Sequence, residues 1–300
     1  MNNILIKLGS INRQVIFILI ALSVLIPLLK PSWFNFPIKI DKNTQTAYNA
    51  IDNLKENDKV LVSFEYGAST KPEVHPMAVA LLKHLFAKGI KVYIISLWPE
   101  GPIMAQQAMD EVLNAGIFDI QDGKDYVMFG YKTGGLVVIK NIAEDFRGIY
   151  KQDFNGVAIE DISIMNNIYN VTDFDFVFDF SAGVPGNAEW VQYACDPKNV
   201  PLSSGCTSIM VTDAIPYVQS GQLRGIIAGM PGAAEYEKMV YDFLSETQIG
   251  NKFIIDNKSI IPGKVLQYLS AQSVAHLLMV IFIILGNVSY YYSRRTRSEL

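Results

Sequence analysis

The stretch FDFVFDFSAGVPGNAEW, Phe174–Trp190, runs a β-forming segment into a Gly-Val-Pro-Gly turn and then into a helix-forming segment. A strand over Phe174–Gly183 and a helix over Ala188–Ala194 are expected. The second half of the stretch, SAGVPGNAEW (Ser181–Trp190), recurs as IAGMPGAAEY at Ile227–Tyr236. The pairs Ala182/Ala228, Gly183/Gly229, Pro185/Pro231, Gly186/Gly232, Ala188/Ala234, Glu189/Glu235 and Trp190/Tyr236 agree in kind. The second copy also follows a strand segment, Leu223–Met230, and opens a helix, Ala234–Leu244. A chain that repeats strand, turn and helix is assembled from βα units, and such units build a parallel sheet.

The remaining middle region obeys the same rhythm. Strands are expected at Lys59–Gly67, Lys91–Trp98, Asp125–Tyr131 and Val200–Ser204. Helices are expected at Thr44–Lys55, His75–Gly89, Ile103–Ala115 and Val138–Phe146, with a short one at Asp161–Ile168. Asn251–Lys264 reads as an edge hairpin or as a return toward the chain's last apolar segment. Right-handed crossovers between parallel strands make the fold α/β and doubly wound, a Rossmann-like three-layer domain.

The doubled loop has two readings. Loops at the carboxyl ends of parallel strands line the ligand crevice of such folds, and helix N-termini attract anions. Yet neither copy is G-x-G-x-x-G or a P-loop. Each Pro removes an N–H donor where an anion would need one. Each Glu stands in the first helical turn, where a carboxylate already satisfies the free amides and would repel a phosphate. Pro and Gly also suit helix starts and tight turns for their own sake. The loops are therefore read as architecture.

The chain has 300 residues, of which 50% are hydrophobic and 18% charged. Its apolar excess lies at the ends. Gln14–Leu29 and Ser273–Tyr292 carry no charge. Each is read as a membrane span, the first as an uncleaved anchor because KPSWFNFP after it lacks a small-x-small cleavage pattern. Lys7 and Arg13 precede the first span, and Arg294, Arg295 and Arg297 follow the second. Basic flanks favour the cytoplasm, so both termini are expected there and the α/β domain outside. Lys30, Lys39 and Lys42 vote the other way. Five of the 25 basic residues and one of the 29 acidic ones lie in the tails, which leaves the middle region 20 against 28, a net −8. An acidic body offers no electrostatic footprint for nucleic acid.

Candidate chemistry gathers at the carboxyl edge of the first strand, in FEYGASTKPEVHP. Glu65 and His75, joined by Asp179 if the first and fourth strands are neighbours, form a set suited to acid–base work. The plainer alternative makes Thr70 and Glu73 helix caps and His75 a surface residue. Tyr66, Ser69, Thr70, Trp98, Ser181, Gly183, Gly186, Gly229 and Gly232 would line the crevice, with SLWPEGP (Ser96–Pro102) as its second wall. Cys195 and Cys206 either pair in an oxidising compartment or stand as small buried thiols. Neither C-x-x-C, H-E-x-x-H, an EF-hand loop nor a nucleophile elbow occurs, so no metal site is expected. In the last apolar segment Gln272 and His276 share a helix face, and polar groups in a span call for a neighbouring helix.

The combination of SLWPEGP, FDFVFDFSAG with PG and AEW, and GMPGAAEYE resembles a group of uncharacterised prokaryotic membrane-anchored proteins with a Rossmann-like domain. The resemblance spans most of the middle region and brings no activity or catalytic residue with it. The organisation expected is a cytoplasmic tip and anchor over 1–30, a juxtamembrane connector over 31–42, and an extracytoplasmic domain over 43–268. A span over 269–293 and a basic tail over 294–300 complete it. The expected role is a scaffold or subunit of an oligomeric membrane assembly. The alternative is a membrane-tethered enzyme or small-ligand binder using the crevice. No cofactor is expected. The expected partners are the lipid bilayer and further copies of the chain or other membrane-protein subunits.

Overall fold

A computed structural model of the chain describes residues 12–30, 33, 38–247 and 264–298. It divides into two compact units, Ile38–Pro262 and the pair of terminal segments Met1–Pro37 and Gly263–Leu300. The larger unit is the α/β domain. The smaller holds helices α1 (Arg13–Leu29) and α11 (Lys264–Ser298), which pack on one another.

The domain opens with α2 (Lys42–Asp52) and enters the sheet at β1 (Lys59–Glu65). From there α3 (Lys71–Ala87) leads to β2 (Lys91–Ser96), and α4 (Gly101–Asn114) to β3 (Tyr126–Tyr131). A long return through α5 (Leu136–Glu144), α6 (Phe146–Ile149) and three 3-10 turns reaches β4 (Phe176–Ser181). Then come α7 (Asn187–Trp190), a π turn at Val191–Cys195, α8 (Asp196–Lys198) and β5 (Leu202–Cys206). Helix α9 (Val211–Gln219), β6 (Leu223–Ala228) and α10 (Gly229–Glu246) close the domain.

All six strands are parallel, in the order β3-β2-β1-β4-β5-β6. The chain walks outward from β1 to β3, returns past β1, and walks outward again from β4 to β6. The reversal between β1 and β4 is the topological switch point, where α/β sheets open a crevice. The expected α/β, Rossmann-like sheet is therefore present, with the first and fourth strands adjacent.

Both sheet faces are covered, which explains why the inner strands read as near-continuous apolar runs. On one face Leu61, Tyr93, Val127 and Val177 pack with α5, α6, Trp190 and Cys195. On the other, Phe64, Tyr66, Phe178 and Phe180 form a file of contacting rings. Beyond that aromatic file α3 packs against α10. Each such side chain removed from water contributes about 1.5–3 kcal/mol.

Three local expectations are corrected. No helix was expected between β5 and β6, yet α9 occupies Val211–Gln219 with Pro216 inside it. Proline breaks the hydrogen-bond ladder of a long helix, but a helix of nine residues has few bonds to lose. The helix expected at Asp161–Ile168 is a pair of 3-10 turns, Ile159–Asp161 and Ser163–Met165. The helix expected at Ala188–Ala194 is a single α turn that widens into the π turn before α8. Asn251–Gly263 and most of the connector lie outside the described residues; Trp33 within it is exposed.

Among the described residues, one helix is long and apolar enough to cross a membrane, within Tyr268–Tyr291 of α11. Helix α1 is apolar but has only 17 residues, roughly 26 Å against a hydrocarbon core of about 30 Å.

Candidate functional site at the strand-order reversal

Residues on adjacent parallel strands share a face when register and alternation agree. Asp179 of β4 lies opposite Ser63 of β1, and Ser181 lies opposite Glu65. Glu65 and Asp179 therefore project from the same face, and both are fully buried. The Ser63 hydroxyl donates to Glu65 Oε1. The Ser204 hydroxyl donates to Asp179 Oδ2 over 3.0 Å. The other two carboxyl oxygens, Glu65 Oε2 and Asp179 Oδ1, find no donor in the protein. Two further buried groups that bear on Glu65, the Tyr150 hydroxyl and the Trp190 indole N–H, also lack a well-formed hydrogen bond.

The electrostatics follow from this burial. Loss of water holds the Glu65 carboxyl well above its usual range, and the Asp179 carboxyl adds to the effect. Trp190 lies close enough to oppose that rise, although its N–H does not complete a good hydrogen bond. Burial also pushes Asp179 up, to about 7, while the neighbouring Glu65 carboxyl and the hydrogen bond from Ser204 restrain the rise. The two groups behave as one coupled pair.

Cys195 and Cys206 are both buried free thiols. Burial, reinforced by the charge of Asp179, raises both, Cys206 to about 12. A thiol so far from ionisation is a poor nucleophile.

Of the three residues considered for acid–base work, the structure brings together Glu65 and Asp179 but not His75. His75 instead meets the Tyr66 hydroxyl through Nδ1 at 2.8 Å and Glu111 through Nε2 at 3.3 Å. Tyr66 belongs to the aromatic file on the opposite face, which directs His75 away from the carboxyl pair.

The loops after β2 and β4 meet above the switch point. A Cβ on Gly183 would lie 3.0 Å from the Trp98 ring, so the loops after β2 and β4 touch. Ser69 is exposed and Thr70 half-buried. The loop amides, however, are taken by the chain's own carboxylates. Glu100 accepts from the Ala68 N–H at 2.6 Å. Glu73 accepts from the Ser208 N–H and hydroxyl at 2.7 and 2.6 Å. Thr70 makes no side-chain cap for α3, and Glu73 reaches across to the β5 loop instead of capping its own helix.

The two copies of the doubled loop do different work. In the first, Glu189 accepts from the Gly186 N–H at 2.8 Å and caps its own helix. A Cβ on Gly186 would collide with Ser181 Oγ and the Gly183 carbonyl. In the second, Glu235 accepts from the Asp41 N–H at 3.0 Å, at the residue that caps α2. Gly232 closely approaches Ile227 and Thr44 of α2, and Gly229, at φ +60°, packs on Ser208 and Glu73. The aromatics divide as well: Trp190 enters the core beneath α5, and Tyr236 bonds His84 Nδ1 at 3.0 Å.

Ser63, Ser204 and Tyr150 are assigned no role at the site from the sequence, and Trp190 is read only as part of the repeated loop. Two serines inside apolar strand runs were the available signal, because a buried hydroxyl needs a partner. Among the described residues no group of three or more His, Cys, Asp or Glu is placed to hold a metal ion. No protein-family model, curated protein or solved structure matches the chain.

Proposed function

We propose that this chain is a membrane-anchored subunit of an oligomeric assembly and that its α/β domain is a docking module. The observation that carries this reading is the character of the sheet's carboxyl edge. There the amides that would hold a phosphate serve Glu73, Glu100 and Glu189. The same edge turns apolar side chains to solvent, with Ile103, Val137, Val184 and Ile209 at 57, 61, 75 and 87% exposure. Each belongs to a segment that directly follows a strand: β2, β3, β4 and β5 respectively. Exposed apolar residues gathered on one edge suit a protein partner better than a nucleotide. In α11, Gln272 and His276 are exposed four residues apart, which favours a helix-to-helix contact between subunits. The acid–base alternative draws on Glu65 and Asp179, but both are sealed from solvent and His75 faces elsewhere.

In mild detergent the full-length protein is expected to run as a particle several times its 33.5 kDa chain mass. Val184→Asp combined with Ile209→Asp is expected to shrink that particle without unfolding the domain, since both side chains already lie in water. A monomer before substitution, or an unchanged particle after it, refutes the docking edge.

The reading further places both termini in the cytoplasm, with α1 as a second span and the domain outside. The basic tail at Arg294, Arg295 and Arg297 supports this orientation. Protease applied to right-side-out membranes is then expected to digest the domain before lysis. Survival of the domain until lysis would reverse the topology.

A further inference from the structure

The pair Glu65 and Asp179 is not used by the docking role, and its environment is unusual enough to need its own account. Two carboxyls on neighbouring central strands project from one face of the sheet, close enough that each bears on the other's protonation. Both are fully buried, and each keeps one oxygen without a donor. Among the described residues no salt bridge reaches either group. Two ionised carboxylates in this setting would repel one another and leave buried acceptors unsatisfied, which is costly. A single proton between them removes the repulsion and supplies both missing contacts.

We propose that Glu65 and Asp179 form a proton-binding site whose one shared proton belongs to the folded domain at neutral pH and whose release loosens the β1–β4 seam.

The groups around the site agree with this. From β1 and β5 come only the hydroxyls of Ser63 and Ser204 and the Cys206 thiol. From the far side come the Tyr150 hydroxyl, the Trp190 indole and the Cys195 thiol, all neutral donors at physiological pH. The charges that bear on the cluster include Glu189, which adds negative potential at Asp179, Asp196 and Glu73, which do the same at Cys195 and Cys206, and Lys132, whose amine lies 5.3 Å from the centre of the Tyr150 ring. None of these forms an ion pair with the dyad. The unpartnered Tyr150 and Trp190 donors, both fully buried, are an observation independent of the acid pair itself. The site is at the switch point, directly beneath the loop that carries Ser181 to Gly186, so losing its proton would disturb the edge assigned to docking.

The sign of the effect is fixed by linkage. The folded domain keeps a proton that ordinary carboxyls release near pH 4, so it binds more protons than the unfolded chain. The resulting stabilisation is complete below about pH 4 and declines as pH rises through the value at which the pair lets go.

The test is infrared spectroscopy on the full-length protein, with Glu65→Gln and Asp179→Asn compared against wild type. A protonated-carboxyl C=O band is expected to persist in wild type at about pH 6. It is expected to vanish in both variants, because an amide can donate to the remaining carboxylate without a proton. The difference spectrum cancels Glu237, which burial also holds up, to about 7. Melting temperature is expected to fall with rising pH more steeply in wild type than in either variant. A difference spectrum without that band, or melting profiles that run parallel, overturns the proposal. Should both variants fail to fold, hydrogen exchange on wild type decides. Protection of β1 and β4 amides is expected to fall selectively relative to β3 between about pH 5 and about pH 9, and constant protection overturns the site.

Discussion

Gly225→Ala is expected to lower the stability of the domain by about 3–5 kcal/mol. Gly225 lies in β6 at φ +136°, a conformation open to glycine and strained for any side chain. It also sits where β6 slips register against β5, between the pairs Leu202/Leu223 and Ser204/Ile226. An added Cβ would lie 2.3 Å from the Ala47 amide nitrogen and 2.8 Å from the Asn43 carbonyl oxygen. These are backbone atoms of α2, so no side chain can swing aside. Backbone strain of about 1–3 kcal/mol and overpacking of a similar size combine at this one atom. Either the helix leaves the strand or the strand distorts. Gly232→Ala is expected to cost less, because its nearest obstacle is 3.1 Å away. Urea unfolding of the full-length protein in mild detergent measures both. A loss below about 1 kcal/mol for Gly225→Ala would show that α2 is not held to β6 through this contact.

The second large effect is a loss of stability in acid traced to His84. This residue is fully buried among Tyr48, Tyr236 and Phe243, with the Tyr48 ring stacked at 4.5 Å. Burial depresses its pKa to about 4; a hydrogen bond and charge from Asp52 partly oppose this, and Lys88 adds to it. The folded domain therefore refuses a proton that the unfolded chain accepts near pH 6.5. Stability from this residue is complete above about pH 6.5 and is lost as pH falls through about 4, amounting to about 3 kcal/mol. The Glu65–Asp179 pair and Glu237 slope the opposite way across part of that range, so the wild-type profile alone conceals the effect. The stability difference between wild type and His84→Gln separates them. It is expected to grow by about 3 kcal/mol from pH 4 to pH 7, since glutamine still bonds the Tyr236 hydroxyl and does not titrate. A difference that stays constant with pH would mean that His84 is not held neutral.

Both predictions concern the layer in which the doubled loop does its second job. Tyr236, Glu235 and Gly232 come from IAGMPGAAEY, and all three act on α2 or on His84. The first copy does nothing of the kind. Its Glu189 turns back on Gly186, and its Trp190 closes the opposite face over the carboxyl pair. The two loops share a turn and a helix start, while their partners differ because β4 and β6 feed helices on opposite sides of the sheet.

Much of the architecture was written locally. Short apolar runs with β-branched and aromatic residues, separated by amphipathic stretches, are properties of a few consecutive residues, and they foretold six parallel strands. The long apolar segment near the C-terminus was legible for the same reason, since length and hydropathy are additive along the chain. The 17-residue α1 was harder, because its flanks rather than its apolar core decide whether it spans. Helix α9 was missed because Pro216 is a local signal to break a helix that packing beneath β5 and β6 overrides.

What the sequence by itself determined was therefore the kind of element at each place and the α/β class that follows from their alternation. Tertiary structure alone decided which polar residues meet. Glu65 and Asp179 stand 114 positions apart in the chain, and only the β1–β4 register puts them on one face. His75, far nearer in sequence to Glu65, is sent to the other face because strand alternation and the turn into α3 reverse its direction. Whether a carboxylate caps its own helix, as Glu189 does, or reaches another loop, as Glu73 and Glu100 do, depends on distances between elements that no local pattern encodes. Periodicity fixes what a segment becomes, whereas pairing and burial fix what its side chains touch.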